Sequence, residues 1–121
     1  MENLKVTIIQ PDIIWEKPLE NLANYANLIA SAGNTDLVIL PEMFTTGFSM
    51  ESEKLKEPMT GQSVNWMKNA AVNNNVAILG SLIIEDKGKI YNRAIWVSPD
   101  GTIFYYDKKH LFTMGREHLH Y

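Results

Sequence analysis

The sequence predicts a single α/β domain whose secondary-structure elements follow the order β-α-β-α-β-β-β. Two observations support this prediction. Short strand-like apolar runs alternate with two segments of helical periodicity, and three further strand-like runs then follow one another without a helix between them. A chain of 121 residues has the size of one domain, so residues 1–121 are expected to share one modest hydrophobic core.

The first strand and the first helix have clear ends in the sequence. Leu4–Gln10 is rich in β-branched residues and is followed by Pro11, which cannot donate to a strand ladder. Lys17–Ala32 carries apolar residues at helical spacing, and Gly33 lies just past its expected end. The chain therefore begins as a strand followed by an amphipathic helix.

A second strand and a second helix follow. Asp36–Leu40 is a short continuous apolar run, which is typical of a strand covered on both faces. Thr45–Gly61 has mixed polarity and is expected to be a long connection. The second helix is predicted over Gln62–Asn73, before a run of three asparagines.

The last third of the chain predicts a meander of three strands. Val76–Glu85 and Lys89–Val97 are separated by three residues that contain a glycine, as in a hairpin. Ser98-Pro99-Asp100-Gly101 is a strong type I turn signal, and it leads into a final strand over Thr102–Asp107.

The apolar pattern of the central strands predicts an uncovered sheet face. Asp36–Leu40 and Val76–Ile84 are apolar at consecutive positions, so both of their faces need cover. Two amphipathic helices can cover only one face. We therefore expect an exposed apolar face and an isolated chain that is dimeric, aggregated or marginally folded.

The bulk composition excludes several function classes. A net charge of −3, with scattered Lys and Arg, gives no electrostatic reason to bind nucleic acid or an anionic membrane. No apolar stretch approaches the length of a bilayer span, and no signal peptide is visible at the start. The absence of cysteine excludes disulfides and thiolate metal sites, and a cytoplasmic location is expected.

Three ionisable residues follow strand ends, where α/β folds place their chemistry. Glu42 follows the second strand beside Met43 and Phe44, and apolar surroundings would desolvate its carboxylate and favour general acid–base chemistry. Lys108 and Lys109 follow the last strand. Because adjacent residues of an extended chain point to opposite faces, only one of these two lysines is expected to enter a site. The alternative is that all three are ordinary solvated residues.

The three histidines raise the possibility of a metal site. His118 and His120 alternate with Glu117 in the way that strand ligands do, but nothing in the sequence supplies the partners that orient metal ligands. We therefore predict no metal and no cofactor. His110 is expected to be structural, held through a backbone hydrogen bond.

The blocks around Glu42 and Lys108 also carry a resemblance. Residues 40–50 (LPEMFTTGFSM) and 106–112 (YDKKHLF) resemble the glutamate and lysine blocks of the nitrilase, or carbon–nitrogen hydrolase, superfamily, in wording closest to its omega-amidase branch. Tyr91-Asn92-Arg93-Ala94 resembles a further strand block of that family, in which we interpret Asn92 and Arg93 as structural. The resemblance implies a nitrilase-like αββα sandwich, of which this chain supplies about the first half as a truncated or split form.

The resemblance also implies a catalytic set of glutamate, lysine and cysteine. It selects Glu42 as general base and acid and Lys108 as oxyanion stabiliser, with Lys109 pointing away. It also selects Glu117 to position substrate and lysine. The two catalytic side chains should then lie a few ångströms beyond hydrogen-bond reach of each other. The implied substrate is a small dicarboxylic acid monoamide, such as a 2-oxo acid amide, and the resemblance leaves open a nitrile, a carbamoyl compound or another aliphatic amide.

The nucleophile of that set is missing, because the chain contains no cysteine. The serines that could replace it lie in no nucleophile-elbow pattern; they are Ser49, Ser63 and Ser81. The chain alone is therefore expected to be inactive and to need a complementing C-terminal half or to form a homo-oligomer. The alternative function is a non-catalytic half-domain that pairs with itself or another chain through its uncovered sheet face.

Overall fold

The computed structural model describes residues 3–121 as a layer of helices packed on one mixed sheet of five strands. The strands are β1 (Val6–Ile8), β2 (Leu37–Ile39), β3 (Ala77–Asp86), β4 (Lys89–Val97) and β5 (Ile103–Asp107). The helices are α1 (Pro18–Ser31), α2 (Ser52–Leu55) and α3 (Gln62–Asn74), and two short 3-10 helices follow at Thr113–Gly115 and Glu117–Leu119. The strands lie in sequence order, parallel from β1 to β3 and antiparallel from β3 to β5. The predicted α/β order is confirmed.

The helix ends follow local sequence. Gly33, just past α1, has a φ of 72°, and Asn75, just past α3, has a φ of 51°. Both adopt the left-handed conformation that commonly terminates a helix. The connection expected over Thr45–Gly61 contains the unpredicted helix α2, which at four residues is too short to show a period in the sequence. Among residues 3–121, no helix combines the length and apolar character needed to cross a membrane.

Two tight turns fix the register of the meander. Lys87 and Gly88 both have positive φ, at 52° and 78°, as the two-residue turns of β-hairpins require. In the following turn, the backbone N–H of Gly101 donates to the carbonyl of Ser98 at 2.8 Å, which confirms the predicted turn. This register decides which face of the sheet each side chain of β4 and β5 occupies.

The hydrophobic core lies between the sheet and helices α1 and α3. Val38, Ile78 and Val97 are paired across three neighbouring strands and are all fully buried. From the helices, Tyr25 and Met67 pack into the same cluster. Burying one aliphatic side chain of this kind stabilises the fold by about 1.5–3 kcal/mol, so this face holds the domain together.

The opposite face of the sheet, which we call the open face, is covered by none of the three α-helices. One apolar row crosses all five strands of it, and its register partners are Ile8, Ile39, Leu79, Trp96 and Phe104. The row is most exposed at its two ends, since Ile8 is 73% and Phe104 59% accessible to solvent. The expectation of one uncovered apolar face therefore agrees with the structure.

We predict that the open face drives association of the isolated chain. Burying apolar residues in a dimer would remove them from water, so Ile8→Gln should shift the chain toward monomer. Size-exclusion chromatography with light scattering at several concentrations measures this shift. Leu19→Gln is the matched control, because Leu19 is 68% exposed but lies on α1, away from the open face. A chain that is monomeric at every concentration would contradict the prediction.

Candidate active site

A rigid elbow after β2 places Glu42 at the edge of the open face. Met43, the next residue, is fully buried and has a φ of 46°, a conformation that is uncommon for a residue with a side chain. Its backbone N–H donates to the Ser81 hydroxyl at 2.7 Å, which ties the elbow to β3. Phe44 then enters the core, where its ring lies 5.3 Å from that of Tyr25. The elbow therefore sends Met43 and Phe44 inward and Glu42 outward.

The expectation that Glu42 is desolvated by Met43 and Phe44 is wrong for the described residues. Both neighbours are fully buried away from the Glu42 side chain, which remains 47% exposed. A glutamate this open to water does not have the apolar surroundings that the sequence argument assumed. Any further enclosure of Glu42 has to come from whatever covers the open face.

Lys108 leaves the end of β5 and reaches Glu42 directly. Its backbone N–H donates to the carbonyl of Asn92 at 3.0 Å, which fixes the residue against β4. Its ammonium donates to Glu42 Oε1 at 3.0 Å and lies 2.9 Å from Glu117 Oε1. The two predicted side chains thus meet across 66 positions of sequence, and they are closer than the expected few ångströms beyond hydrogen-bond reach.

Glu117 is the buried member of the cluster. Its side chain is 0% exposed, and its two oxygens accept hydrogen bonds from the Asn92 amide, the Phe112 backbone N–H and the Lys108 ammonium. Burial raises the pKa of this carboxyl group, but the three donors outweigh burial and leave the pKa of Glu117 below its ordinary value. Burial likewise lowers the pKa of Lys108, and its bonds to Glu117 and Glu42 outweigh that effect and raise it. The pair is therefore held ionised.

Asn92 is the site residue that sequence reasoning missed. Its side-chain amide donates to Glu42 Oε1 at 2.7 Å and to Glu117 Oε2 at 3.0 Å, and the residue is only 2% exposed. These bonds agree with the structural interpretation of Asn92 and add that the groups it holds are the two carboxylates of the cluster. Arg93, its neighbour, fits the structural interpretation, because its guanidinium binds Asp107 through two hydrogen bonds of 2.7 and 3.0 Å.

Two smaller expectations also need correction. Lys109 borders the same cavity as Lys108, and its ammonium lies 5.6 Å from the centre of the Tyr106 ring, which also lines that cavity. His110 lies exposed at that cavity, and within residues 3–121 its side chain makes no hydrogen bond. No group of three or more potential metal ligands occurs in residues 3–121.

Lys108, Glu42 and Glu117 differ in how many of their hydrogen-bond donors or acceptors are still unused. A lysine ammonium has three donors, and the two carboxylates take two of the three on Lys108. In Glu42 both donors reach Oε1, so Oε2 has no hydrogen-bond partner within residues 3–121. Both oxygens of Glu117 are occupied. Lys108 can therefore donate to a ligand and Glu42 can accept a proton, whereas Glu117 holds the lysine in place.

These groups open into a cavity on the open face. Its volume is about 440 Å³, within the roughly 300–1,000 Å³ range of small-molecule sites. Glu42, Asn92 and Lys108 supply polar groups on one side, and Ile39, Leu79 and Ala94 of the sheet form the apolar floor. The arrangement suits a small molecule with one polar reacting end.

We predict that Glu117 makes the stability of the chain depend on pH at the acidic end. Because the folded-state pKa of Glu117 is lowered, its contribution is complete above the unfolded glutamate pKa of about 4.3 and is lost as pH falls through the lower folded value. Glu117→Gln should therefore reduce the free energy of unfolding most at pH 7 and progressively less toward pH 3. Urea unfolding at several pH values measures the difference, with the exposed Glu20→Gln as control. A difference that stays constant from pH 7 to pH 3 would refute the role given to Glu117.

Comparison with known proteins gives consistent matches over nearly the whole chain. The family model for carbon–nitrogen hydrolases matches residues 5–120. An omega-amidase of Yersinia enterocolitica, YafV, is 39% identical over all 121 residues, and a 2-oxoglutaramate amidase of Bacillus subtilis is 29% identical over 95% of this chain. The chain spans about half the length of these curated relatives, 47% and 46% respectively.

A solved structure agrees with the sequence matches. XC1258 of Xanthomonas campestris, a carbon–nitrogen hydrolase superfamily protein with an arsenic adduct in its active site, superimposes with a TM-score of 0.95 at 41% identity. The superposition covers 100% of this chain and 46% of XC1258. The single helix-on-sheet unit described above therefore corresponds to about half of such a fold.

Proposed function

Because this chain belongs to the carbon–nitrogen hydrolase family, we propose that Glu42 and Lys108 are the acid–base and oxyanion-stabilising residues of an omega-amidase. The observation that carries the proposal is the direct contact of these two side chains at 3.0 Å on the wall of an open cavity. Each side chain keeps one group that can still form a hydrogen bond. Glu42 keeps the acceptor Oε2, and Lys108 keeps its third N–H donor. Those two groups are what amide hydrolysis by a thiol requires.

The nucleophile comes from outside these 121 residues, since none of them is a cysteine. In the proposed reaction, Glu42 accepts the thiol proton as sulfur attacks the amide carbon, and the third N–H of Lys108 donates to the resulting oxyanion. Collapse of that intermediate breaks the C–N bond, and Glu42 returns the proton to the leaving nitrogen, releasing ammonia. Water then hydrolyses the thioester to a carboxylic acid and regenerates the thiol.

The substrate we propose is the terminal amide of a small dicarboxylic acid monoamide. Two kinds of relative support this choice: the omega-amidase of Yersinia enterocolitica and the 2-oxoglutaramate amidase of Bacillus subtilis. Glu117 is proposed to position the lysine, and neither a metal nor another cofactor takes part. The second function considered, a non-catalytic half-domain, is favoured by one observation, the uncovered apolar row of the open face.

Joining this chain to the missing part of a relative tests the proposal. In what we call the joined protein, residues 1–121 are followed by the part of the Yersinia enterocolitica omega-amidase that they do not span. We expect the joined protein to release ammonia from 2-oxoglutaramate, and we expect the 121-residue chain alone to release none. Ammonia release is followed by a coupled assay, with a cysteine-to-serine variant of the joined protein as blank. A folded joined protein without amidase activity would favour the non-catalytic alternative.

A further inference from the structure

We propose that Lys109 binds the carboxylate of an anionic amide substrate, an inference that rests on the proposed function. Lys109 lines the same cavity as Glu42 and Lys108, although strand alternation predicted that it would face away. Its ammonium lies 5.6 Å from the centre of the Tyr106 ring, which also borders the cavity. A cation at this distance from an aromatic face is weakly held in place by that face.

Lys109 carries a positive charge that the protein does not use elsewhere. The side chain is exposed, and within residues 3–121 it makes no ion pair, whereas Lys108 contacts both Glu42 and Glu117. An ammonium without a carboxylate partner remains free to pair with a ligand. Lys109 is therefore free to bind a charged ligand, whereas the adjacent Lys108 is already paired with two glutamates.

The charge of the catalytic cluster makes a second cation necessary for an anionic substrate. Glu42 and Glu117 carry two negative charges against the single positive charge of Lys108, which leaves the cluster with a net charge of −1. A substrate carboxylate brought into this cavity would be repelled by that net charge. Lys109 offsets it, so that an anionic molecule can bind with its amide at Lys108 and its carboxylate at Lys109.

The size of the cavity also limits the kind of molecule. The cavity holds about 440 Å³, so a ligand that meets Glu42 and Lys108 at one end and Lys109 at the other is a small molecule. His110, which lines the cavity beside Lys109, offers a further hydrogen-bond donor for the carboxylate end. The inferred ligand is thus a short aliphatic chain with an amide at one end and a carboxylate at the other.

The test compares two substrates of equal chain length in the joined protein: succinamate, which is anionic, and butyramide, which is neutral. Lys109→Met should lower the ratio of kcat/KM for succinamate to kcat/KM for butyramide at least tenfold, chiefly through KM for succinamate. Lys109→Arg should retain the ratio. Lys68→Met, which removes an exposed lysine from α3, is the matched control and should leave it unchanged. A ratio that moves less than twofold in Lys109→Met would overturn the inference while leaving the proposed function intact.

A binding measurement separates the two proposals if the joined protein is inactive. Succinate should perturb the amide resonances of cavity residues in the joined protein, while neutral succinamide should perturb them far less. The succinate effect should disappear in Lys109→Met. Lys109-dependent binding by an inactive joined protein would refute the amidase proposal and support the carboxylate site, and succinate binding that does not depend on Lys109 would refute the site.

Discussion

Glu42→Gln should lower kcat of the joined protein for 2-oxoglutaramate by roughly 10²–10⁴-fold, the range typical of general acid–base residues. Glutamine has nearly the same shape and can still accept hydrogen bonds from Asn92 and Lys108, but it cannot take a proton from a thiol at neutral pH. The loss should therefore appear in kcat far more than in KM.

Steady-state ammonia release measures this effect, and two comparisons make it specific. Glu20→Gln removes an exposed glutamate from the first turn of α1 and should change kcat little. Because Glu42 is 47% exposed, Glu42→Gln should also leave the unfolding midpoint almost unchanged, so lost activity cannot be attributed to unfolding. A kcat within tenfold of the parent protein would remove Glu42 from the chemistry.

Asn92→Leu should produce a large loss of stability. Leucine is close in size to asparagine but donates no hydrogen bond, so the carboxylates of Glu42 and Glu117 each lose one donor. Water can replace the bond to half-exposed Glu42 but not the one to fully buried Glu117. A hydrogen bond to a charged group contributes about 1.5–3 kcal/mol, and we expect a loss of that order.

Urea unfolding of the 121-residue chain at pH 7 measures the Asn92 effect. Asn74→Leu is the matched control, since the side chain of that exposed asparagine of α3 bonds, within residues 3–121, only to the carbonyl of Ala70. The joined protein with Asn92→Leu should also lose kcat, because Glu42 and Glu117 would no longer be held around Lys108. Equal stability losses in the two asparagine variants would mean that Asn92 does not hold the cluster together.

The sequence predicted the site best where an ionisable residue directly follows a strand. Glu42 and Lys108 each follow an apolar run, and β2 and β5 run in the same direction, so their C-terminal ends lie at the same edge of the sheet. The uncovered face was also predictable. Val76–Ile84 is apolar at both odd and even positions, so both faces of that strand are apolar, while the two expected long helices can cover only one face. Both predictions could be made because a short stretch of sequence, a strand end or an apolar strand, was enough to indicate them.

Asn92 and Lys109 escaped prediction for different reasons. Asn92 lies inside β4, and only its pairing with Ile83 shows that it faces the cavity rather than the core. A polar residue within an apolar strand was the available signal. Lys109 was misplaced because strand alternation does not predict where the end of a long, flexible side chain lies, and its ammonium lies beside Tyr106 at the cavity.

We propose that Lys108, fixed between Glu42 and Glu117, stabilises the developing oxyanion, and a comparison of kcat between two lysine variants tests that role. Lys108→Met and Lys109→Met remove adjacent lysines from the same cavity of the joined protein, and both are assayed at saturating amide. We predict that Lys108→Met lowers kcat by about 10²–10³-fold, as loss of an oxyanion donor does, whereas Lys109→Met acts chiefly on KM. Equal losses of kcat in two folded variants would contradict the assignment.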